Sequence, residues 1–234
     1  MVGKAVCLIS GGIDSCVTAY LAKNEGYEIH GLSFNYGQRH MKELASARAI
    51  SSAVRAKDHI IFDIDLRKFG GSSLVDRSIT TPSDHPLEDI GKSIPATYVP
   101  ARNTVFLSIA LAYAEVLDAD SIFIGVTATD YAGYPDCRPQ YIDAFQKMAD
   151  LATKRGVEGK SIKIITPLLH LSKSAIIKKG FELGAPFEKT WSCYHGGERA
   201  CGRCDSCLLR LKGFKEAGTR DSIKYEFLPD WYLK

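Results

Sequence analysis

Short apolar runs alternate along this chain with longer segments whose apolar residues recur every three or four positions. Residues 4–10 hold Ala5 to Ile9 as an unbroken apolar run, which predicts a buried strand. Residues 15–25 are periodic from Val17 and stop near Gly26, which predicts a helix. A second strand follows over 27–35, with Ile29, Leu32 and Phe34. In residues 43–56, Leu44, Ala47, Ile50, Ala53 and Val54 fall on one helical face, and 58–64 read as a third strand. A β-α-β-α-β order predicts a parallel sheet with right-handed crossovers and helices on both faces.

Residues 65–97 break the rhythm. They carry Gly70-Gly71, Thr81-Pro82, His85-Pro86 and Ile94-Pro95 with weak periodicity, and are expected to form an excursion, a candidate mobile lid. The alternation resumes with a helix over 103–117, a strand over 121–126 and a loop over 127–138. A helix over 139–154 follows, with Pro139 suited to its first turn. A strand over 161–166 and a helix over 172–183 complete the pattern. The expected fold class is therefore α/β, a Rossmann-like parallel sheet over residues 1–185. A small helical segment over 186–234, with a cysteine cluster and an aromatic tail, is appended to it.

Composition narrows the function classes. The chain has 234 residues, 45% hydrophobic and 24% charged, ordinary for a globular enzyme. Its net charge of +3 comes from dispersed basic residues, so direct nucleic-acid binding is not expected. No apolar stretch reaches the roughly 20 residues that span a bilayer, and the first apolar run leads straight into glycines rather than a cleavage site. A membrane role is not expected, and the cytoplasm is the expected location. Seven cysteines, four of them between Cys193 and Cys207, then point to a metal rather than disulfides.

The candidate chemistry begins where the first strand ends, at Ser10-Gly11-Gly12-Ile13-Asp14-Ser15. Glycines let backbone N–H groups approach a ligand, and the following helix start directs its unpaired N–H groups and positive dipole end at the same place. Ser10 and Ser15 add hydroxyls. The patterns of the lysine-containing phosphate loop and of dinucleotide binding are both absent. The segment resembles the PP-loop of the N-type ATP pyrophosphatases, an adenine nucleotide alpha hydrolase-like fold. That resemblance implies cleavage of ATP between its α- and β-phosphates and transfer of AMP to a substrate oxygen. It also implies that Ser10, Gly11, Gly12, Ile13 and Ser15 hold the pyrophosphate portion. Asp14 would position Mg²⁺ or a loop amide, with Mg²⁺ offsetting the charge of departing pyrophosphate.

Further candidates sit at other strand ends. Phe34 and Tyr36 are expected to stack on a purine, or to pack in the core, with Arg39 among the polar groups beside them. Arg102 precedes a helix start, where a cation opposes the dipole, so a phosphate or carboxylate clamp is expected there. In the 125–138 loop, Asp130 and Asp136 suit the N–H edge of a guanine-like ring, Tyr134 suits stacking, and Arg138 suits a carboxylate. Cys137 reads as a buried thiol or as a nucleophile. Lys173, at another helix start, is a candidate for stabilising phosphate charge.

Cys193, Cys201, Cys204 and Cys207 are spaced Cys-x7-Cys-x2-Cys-x2-Cys, which satisfies tetrahedral Zn²⁺ with no open position and so reads as structural zinc. An iron–sulfur cluster is the rival, and His195 is an alternative ligand.

Taken together, Ser10 to Ser15, Pro100 to Asn103, Asp130 to Arg138, Cys193-Tyr194 and Cys201 to Cys207 resemble the 7-cyano-7-deazaguanine synthase (QueC) family, from residue 4 to about 215. The resemblance implies a ligase that converts 7-carboxy-7-deazaguanine, free ammonia and ATP to 7-cyano-7-deazaguanine (preQ0), feeding queuosine or archaeosine modification of tRNA. Adenylated carboxylate and amide intermediates are implied, as is a possible homodimer. Two alternatives stay open: a PP-loop sulfur-transferase acting on tRNA through Cys137, and a zinc-dependent nucleotide-binding protein without turnover.

Overall fold

The computed structural model describes residues 2–128 and 134–233. Five strands form one parallel sheet: β1 (Lys4–Leu8), β2 (Glu28–Asn35), β3 (Asp58–Asp63), β4 (Ser121–Phe123) and β5 (Lys163–Ile165), in the order β3-β2-β1-β4-β5. The connecting helices are α1 (Ile13–Asn24), α2 (Lys42–Val54), α3 (Arg102–Leu117), α4 (Pro139–Ala152), the single turn α5 (Lys154–Val157) and α6 (Lys173–Glu182). After the cysteine segment come α7 (Asp205–Glu216) and the short α8 (Asp230–Leu233). Among the described residues, no helix is long and apolar enough to cross a membrane.

The central strand shows why both faces are covered. Successive residues of a strand point to opposite sides. Val6 and Leu8 pack into one core with Leu107, Ala110 and Ala114 of α3 and Ile142 and Phe145 of α4. Ala5, Cys7 and Ile9 pack into a second core with Val17 of α1, Ile50 of α2, Ile176 of α6 and Phe214 of α7. A strand apolar at every position is what a sheet buried between two helical layers requires. Each fully buried side chain of this kind, Leu107 or Ile176 for example, contributes about 1.5–3 kcal/mol.

Element boundaries shift in two informative places. The fourth strand was expected to reach residue 126 but ends at Phe123, with Ile124 still donating its N–H to the Ile165 carbonyl at 3.0 Å. The chain then passes against the start of α1: a Cβ on Gly125 would lie 2.9 Å from the Asp14 carbonyl carbon. Helix α1 begins two residues earlier than its apolar periodicity suggests, because extended Gly12 is its N-cap.

The 65–97 excursion holds only a short 3-10 turn, Leu66–Lys68, as helix or strand. It is nevertheless firmly tied down. Leu66, Leu74 and Val75 are buried in the core on the α3 side. The Arg39 guanidinium donates to the carbonyls of Ser73, Asp76 (3.2 Å) and Ile79 (2.7 Å). Farther along, Ser83 bridges to Cys204, and Asp84 donates its N–H to the Arg203 carbonyl at 2.9 Å. The excursion therefore straps the sheet to the cysteine segment.

Candidate active site

A cavity of about 320 Å³ opens at the carboxyl ends of β1, β2 and β4. The strand order reverses direction between β1 and β4, and open α/β sheets bind ligands at such a switch point. The starts of α1, α2, α3 and α6 all contribute side chains to it, as do Trp191 and Arg210 from the C-terminal segment.

The glycine turn forms the floor. Gly11 has φ +95°, and a Cβ there would sit 2.2 Å from the Glu43 carbonyl oxygen, so the turn needs glycine for both conformation and space. Among the described residues, no side chain caps the first turn of α1. An uncapped helix start presents N–H groups and a positive dipole end, which favour an anion. The hydroxyls of Ser10 and Ser15 lie 3.1 Å apart, and Ser15 Oγ donates to the Gly12 carbonyl at 3.1 Å, which holds both beside the turn.

Asp14 and Lys173, 159 positions apart, meet over this turn. Lys173 Nζ lies 2.6 and 2.7 Å from the two Asp14 carboxylate oxygens. Lys173 opens α6, whose N-cap Ser172 accepts from the Ala175 N–H at 3.3 Å. The pair keeps a cation over the glycine turn, held by a carboxylate.

The opposite wall is aromatic and basic. The Phe34 ring stacks on Phe106 of α3 at 3.9 Å and 4°, so one of its faces is already covered. Tyr36 is buried, and its hydroxyl lies 3.5 Å from Arg102 Nη1; burial pushes the phenol up to about 12. Arg102 opens α3 with left-handed Ala101 (φ 54°) before it. Burial opposes its charge, but Tyr36, Tyr134, Glu43 and Asp136 surround the guanidinium and raise its pKa above the ordinary arginine value. Glu43, in the first turn of α2, also lines the cavity. Burial pushes its carboxyl up to about 7, Arg102 pulls the other way, and Cys193 adds to the rise.

The expected recognition loop divides. Asp130 lies outside the described residues. Tyr134 and Cys137 line the cavity. Asp136 does not: its Oδ2 accepts the Asn103 N–H at 2.9 Å, and its carbonyl accepts the Asn103 side-chain amide at 3.2 Å. This buried carboxylate therefore caps α3, rather than lining the cavity as expected for a substrate contact. Arg138 also points elsewhere. Its Nε donates to the Pro135 carbonyl at 3.3 Å, and it lines a separate shallow depression with Tyr98 and Tyr141. Arg39, expected at the nucleotide, is committed to the excursion's carbonyls instead. Cys137 is buried, its thiol pushed up to about 12 by that burial.

The cysteines do converge. Donor atoms of Cys193, His195, Cys201 and Cys204 all lie within 4.8 Å of one another, and Cys201 Sγ is 3.9 Å from Cys207 Sγ. The N–H groups of His195 and Cys201 point at Cys193 Sγ (3.4 and 3.3 Å), and those of Arg203 and Cys204 at Cys201 Sγ (3.4 and 3.3 Å). Amides aimed at sulfur stabilise thiolates, so the donor set fits a structural zinc with His195 alongside as a fifth donor. The cluster is stitched to the cavity, since Trp191 donates its backbone N–H to the Gly11 carbonyl at 2.8 Å and its indole N–H to the Cys193 carbonyl at 2.9 Å. Lys42 Nζ sits 3.8 Å above the Trp191 ring and donates to the carbonyls of Gly197 and Glu198, both at 2.6 Å.

Sequence reasoning missed Glu43, Trp191 and Arg210. An acid in a first helical turn reads as a dipole contact, and nothing local distinguishes one that faces a cavity. Arg210 sits in a helix with no sign that it would be buried, yet it pairs with Asp221 at 2.5 and 2.8 Å and donates to Thr190 Oγ1 at 2.8 Å.

A glycine turn at the sheet's switch point, an uncapped helix start and a lysine held over it define an α/β protein with a candidate site at the carboxyl edge of its sheet. The chain belongs to the QueC family, described as queuosine biosynthesis protein QueC, which matches residues 4–218. Among its relatives, 7-cyano-7-deazaguanine synthase of Trichodesmium erythraeum is 54% identical over 94% of this chain and 99% of its own length. The protein of the same name from Citrifermentans bemidjiense is 55% identical over 96% and 99%. Of solved structures, the NMN synthetase of Francisella tularensis is 20% identical, covers 94% of this chain and 79% of its own, and superposes with a TM-score of 0.46.

Proposed function

We propose that the protein is an ATP-dependent ligase that makes 7-cyano-7-deazaguanine from 7-carboxy-7-deazaguanine and ammonia. Support comes from relatives of that name aligned over nearly the whole chain, and above all from the Asp14–Lys173 pair over the glycine turn, in the cavity that Arg102 also lines.

The β- and γ-phosphates of ATP would lie on Gly11, Gly12 and the first turn of α1, with Ser10 and Ser15 donating from the sides. Lys173 would release Asp14 and turn to the phosphate, offsetting the charge that builds on pyrophosphate as it leaves. Mg²⁺ carried by ATP would share that task, with Asp14 the carboxylate nearest the turn. Arg102 would hold the substrate carboxylate in line with the α-phosphorus. Attack by a carboxylate oxygen gives an acyl adenylate and pyrophosphate; ammonia then displaces AMP to give the amide. A nitrile requires loss of the amide oxygen as well, and the same site can adenylate that oxygen with a second ATP. Zinc, when bound, fixes the cysteine segment. Trp191 and Ser192, which precede Cys193, thereby hold their places on the cavity wall. The buried, hard-to-ionise Cys137 thiol disfavours the sulfur-transfer alternative.

Zinc-loaded protein incubated with 7-carboxy-7-deazaguanine, ATP, Mg²⁺ and ammonium should give the nitrile by mass spectrometry, with two AMP per product. Folded, metal-loaded protein that consumes no ATP under these conditions would rule the reading out.

A further inference from the structure

One carboxylate in the cavity has no task in the scheme above. Glu43 lines the cavity from the first turn of α2. Tyr36 and Arg102 line the same cavity from the facing elements. Among the described residues it makes no side-chain hydrogen bond and no ion pair within 4 Å. Among the described residues, the other acid that lines the cavity, Asp14, is held by Lys173. A carboxylate that opens into a cavity without a partner among the described residues is available to a small cation entering there.

The nitrogen source supplies a reason. Ammonia in neutral solution is almost entirely ammonium, which has no lone pair to attack with. A site that uses it must attract a small cation past Arg102 and Lys173 and then remove a proton. We infer that Glu43 is the catalytic base that receives ammonium and takes its proton next to the acyl adenylate, an inference that rests on the ligase reading. One N–H bond of ammonium breaks, and its proton passes to the Glu43 carboxylate. The freed lone pair forms the C–N bond to the acyl carbon, while the carbon–oxygen bond to AMP breaks and its electron pair leaves with AMP. A second nitrogen proton goes to solvent, giving neutral amide and AMP. The carboxyl that burial has raised toward neutrality is suited to this exchange.

Hydroxylamine provides the test, because it is mostly the free base at neutral pH and reaches the adenylate already deprotonated. The experiment compares wild-type, Glu43→Gln and Glu43→Asp holoenzyme with 7-carboxy-7-deazaguanine and ATP. It measures kcat/KM for ammonium, the KM values for ATP and for the carboxylate, and hydroxamate formation from hydroxylamine. Glu43→Gln should lose about 100-fold in kcat/KM for ammonium, while hydroxamate formation and both other KM values stay near wild type. Glu43→Asp should recover part of the ammonium activity. Equal losses with both nucleophiles, or a raised KM for the carboxylate, would show that Glu43 merely supports Arg102 and overturn the inference, as would unchanged ammonium kinetics. If wild-type protein forms neither nitrile nor hydroxamate, it is the ligase reading that fails.

Discussion

Lys173 Nζ sits 2.6 Å from Asp14 Oδ1, joining the first turns of α1 and α6 across the glycine turn. Both side chains are partly open to the cavity, at 17% and 29% exposure, so the pair is a poor stability device and a good gate for an anion. Replacing Lys173 by Ala should lower ATP–pyrophosphate exchange by about 10²–10³-fold, the usual loss for one charge-stabilising donor. The melting temperature should hardly move. A large drop in melting temperature with normal exchange would assign the pair to folding instead.

The two glycines of the turn should respond differently to alanine. At Gly11 the left-handed φ costs about 1–2 kcal/mol, and the new methyl would also meet the Glu43 carbonyl at 2.2 Å. At Gly12 φ is −85°, and the nearest heavy atom would be 3.7 Å away. Gly11→Ala should therefore unfold at clearly lower temperature and lose nucleotide binding by calorimetry, while Gly12→Ala should keep its melting temperature.

The cysteine cluster offers five donors for a metal that needs four. If zinc takes the four thiolates, His195→Ala should retain one equivalent of metal by elemental analysis, and Cys207→Ala should lose it. The reverse pattern would put His195 in the ligand set. Chelation should destabilise the C-terminal segment and, through the Trp191 N–H to the Gly11 carbonyl, weaken ATP binding as well.

Glu43 makes stability depend on pH in a definite direction. Its folded-state pKa is raised from 4.5 to about 7. Below 4.5 the carboxyl is neutral in both folded and unfolded chains. As pH rises from there through 7, the unfolded chain ionises first, and the folded state loses stability that it does not regain at higher pH. Glu43→Gln, which is neutral throughout, should match wild type near pH 4 and exceed it at pH 8 by about 1–3 kcal/mol. Denaturant titrations at the two pH values measure this, and an equal offset at both would contradict it.

Arg210 and Asp221, at 2% and 1% exposure, form a fully buried pair that holds the C-terminal tail to the cavity wall. Asp221→Ala leaves the guanidinium buried without its carboxylate and should cost about 3–5 kcal/mol, read as a shift in the chemical denaturation midpoint.

The strand and helix order was legible because the strands carry short apolar stretches, unbroken over Ala5 to Ile9, and the helices between them carry apolar residues three or four positions apart. The anion turn was legible too, because its residues are contiguous: one helix start carries Gly12 to Ser15. The partners of Asp136 and Arg39 were not legible, for the opposite reason. A polar residue on a loop looks alike whether it meets a ligand, caps a helix or ties down a strap, and only the fold brings Asn103 to Asp136 or the 73–79 carbonyls to Arg39.

The glycine turn and the cysteine spacing are local arrangements, so the sequence by itself determined a glycine turn at the end of β1, a metal-type cluster and the parallel α/β architecture. The tertiary structure decided which charges share the cavity. Asp14 meets Lys173 from 159 positions away, and Glu43 faces Arg102 from another helix start. The cysteine segment closes on the glycine turn through Trp191. Each depends on where the crossovers set the helix starts around the sheet's switch point, and that is fixed by packing in two cores rather than by any neighbouring residue.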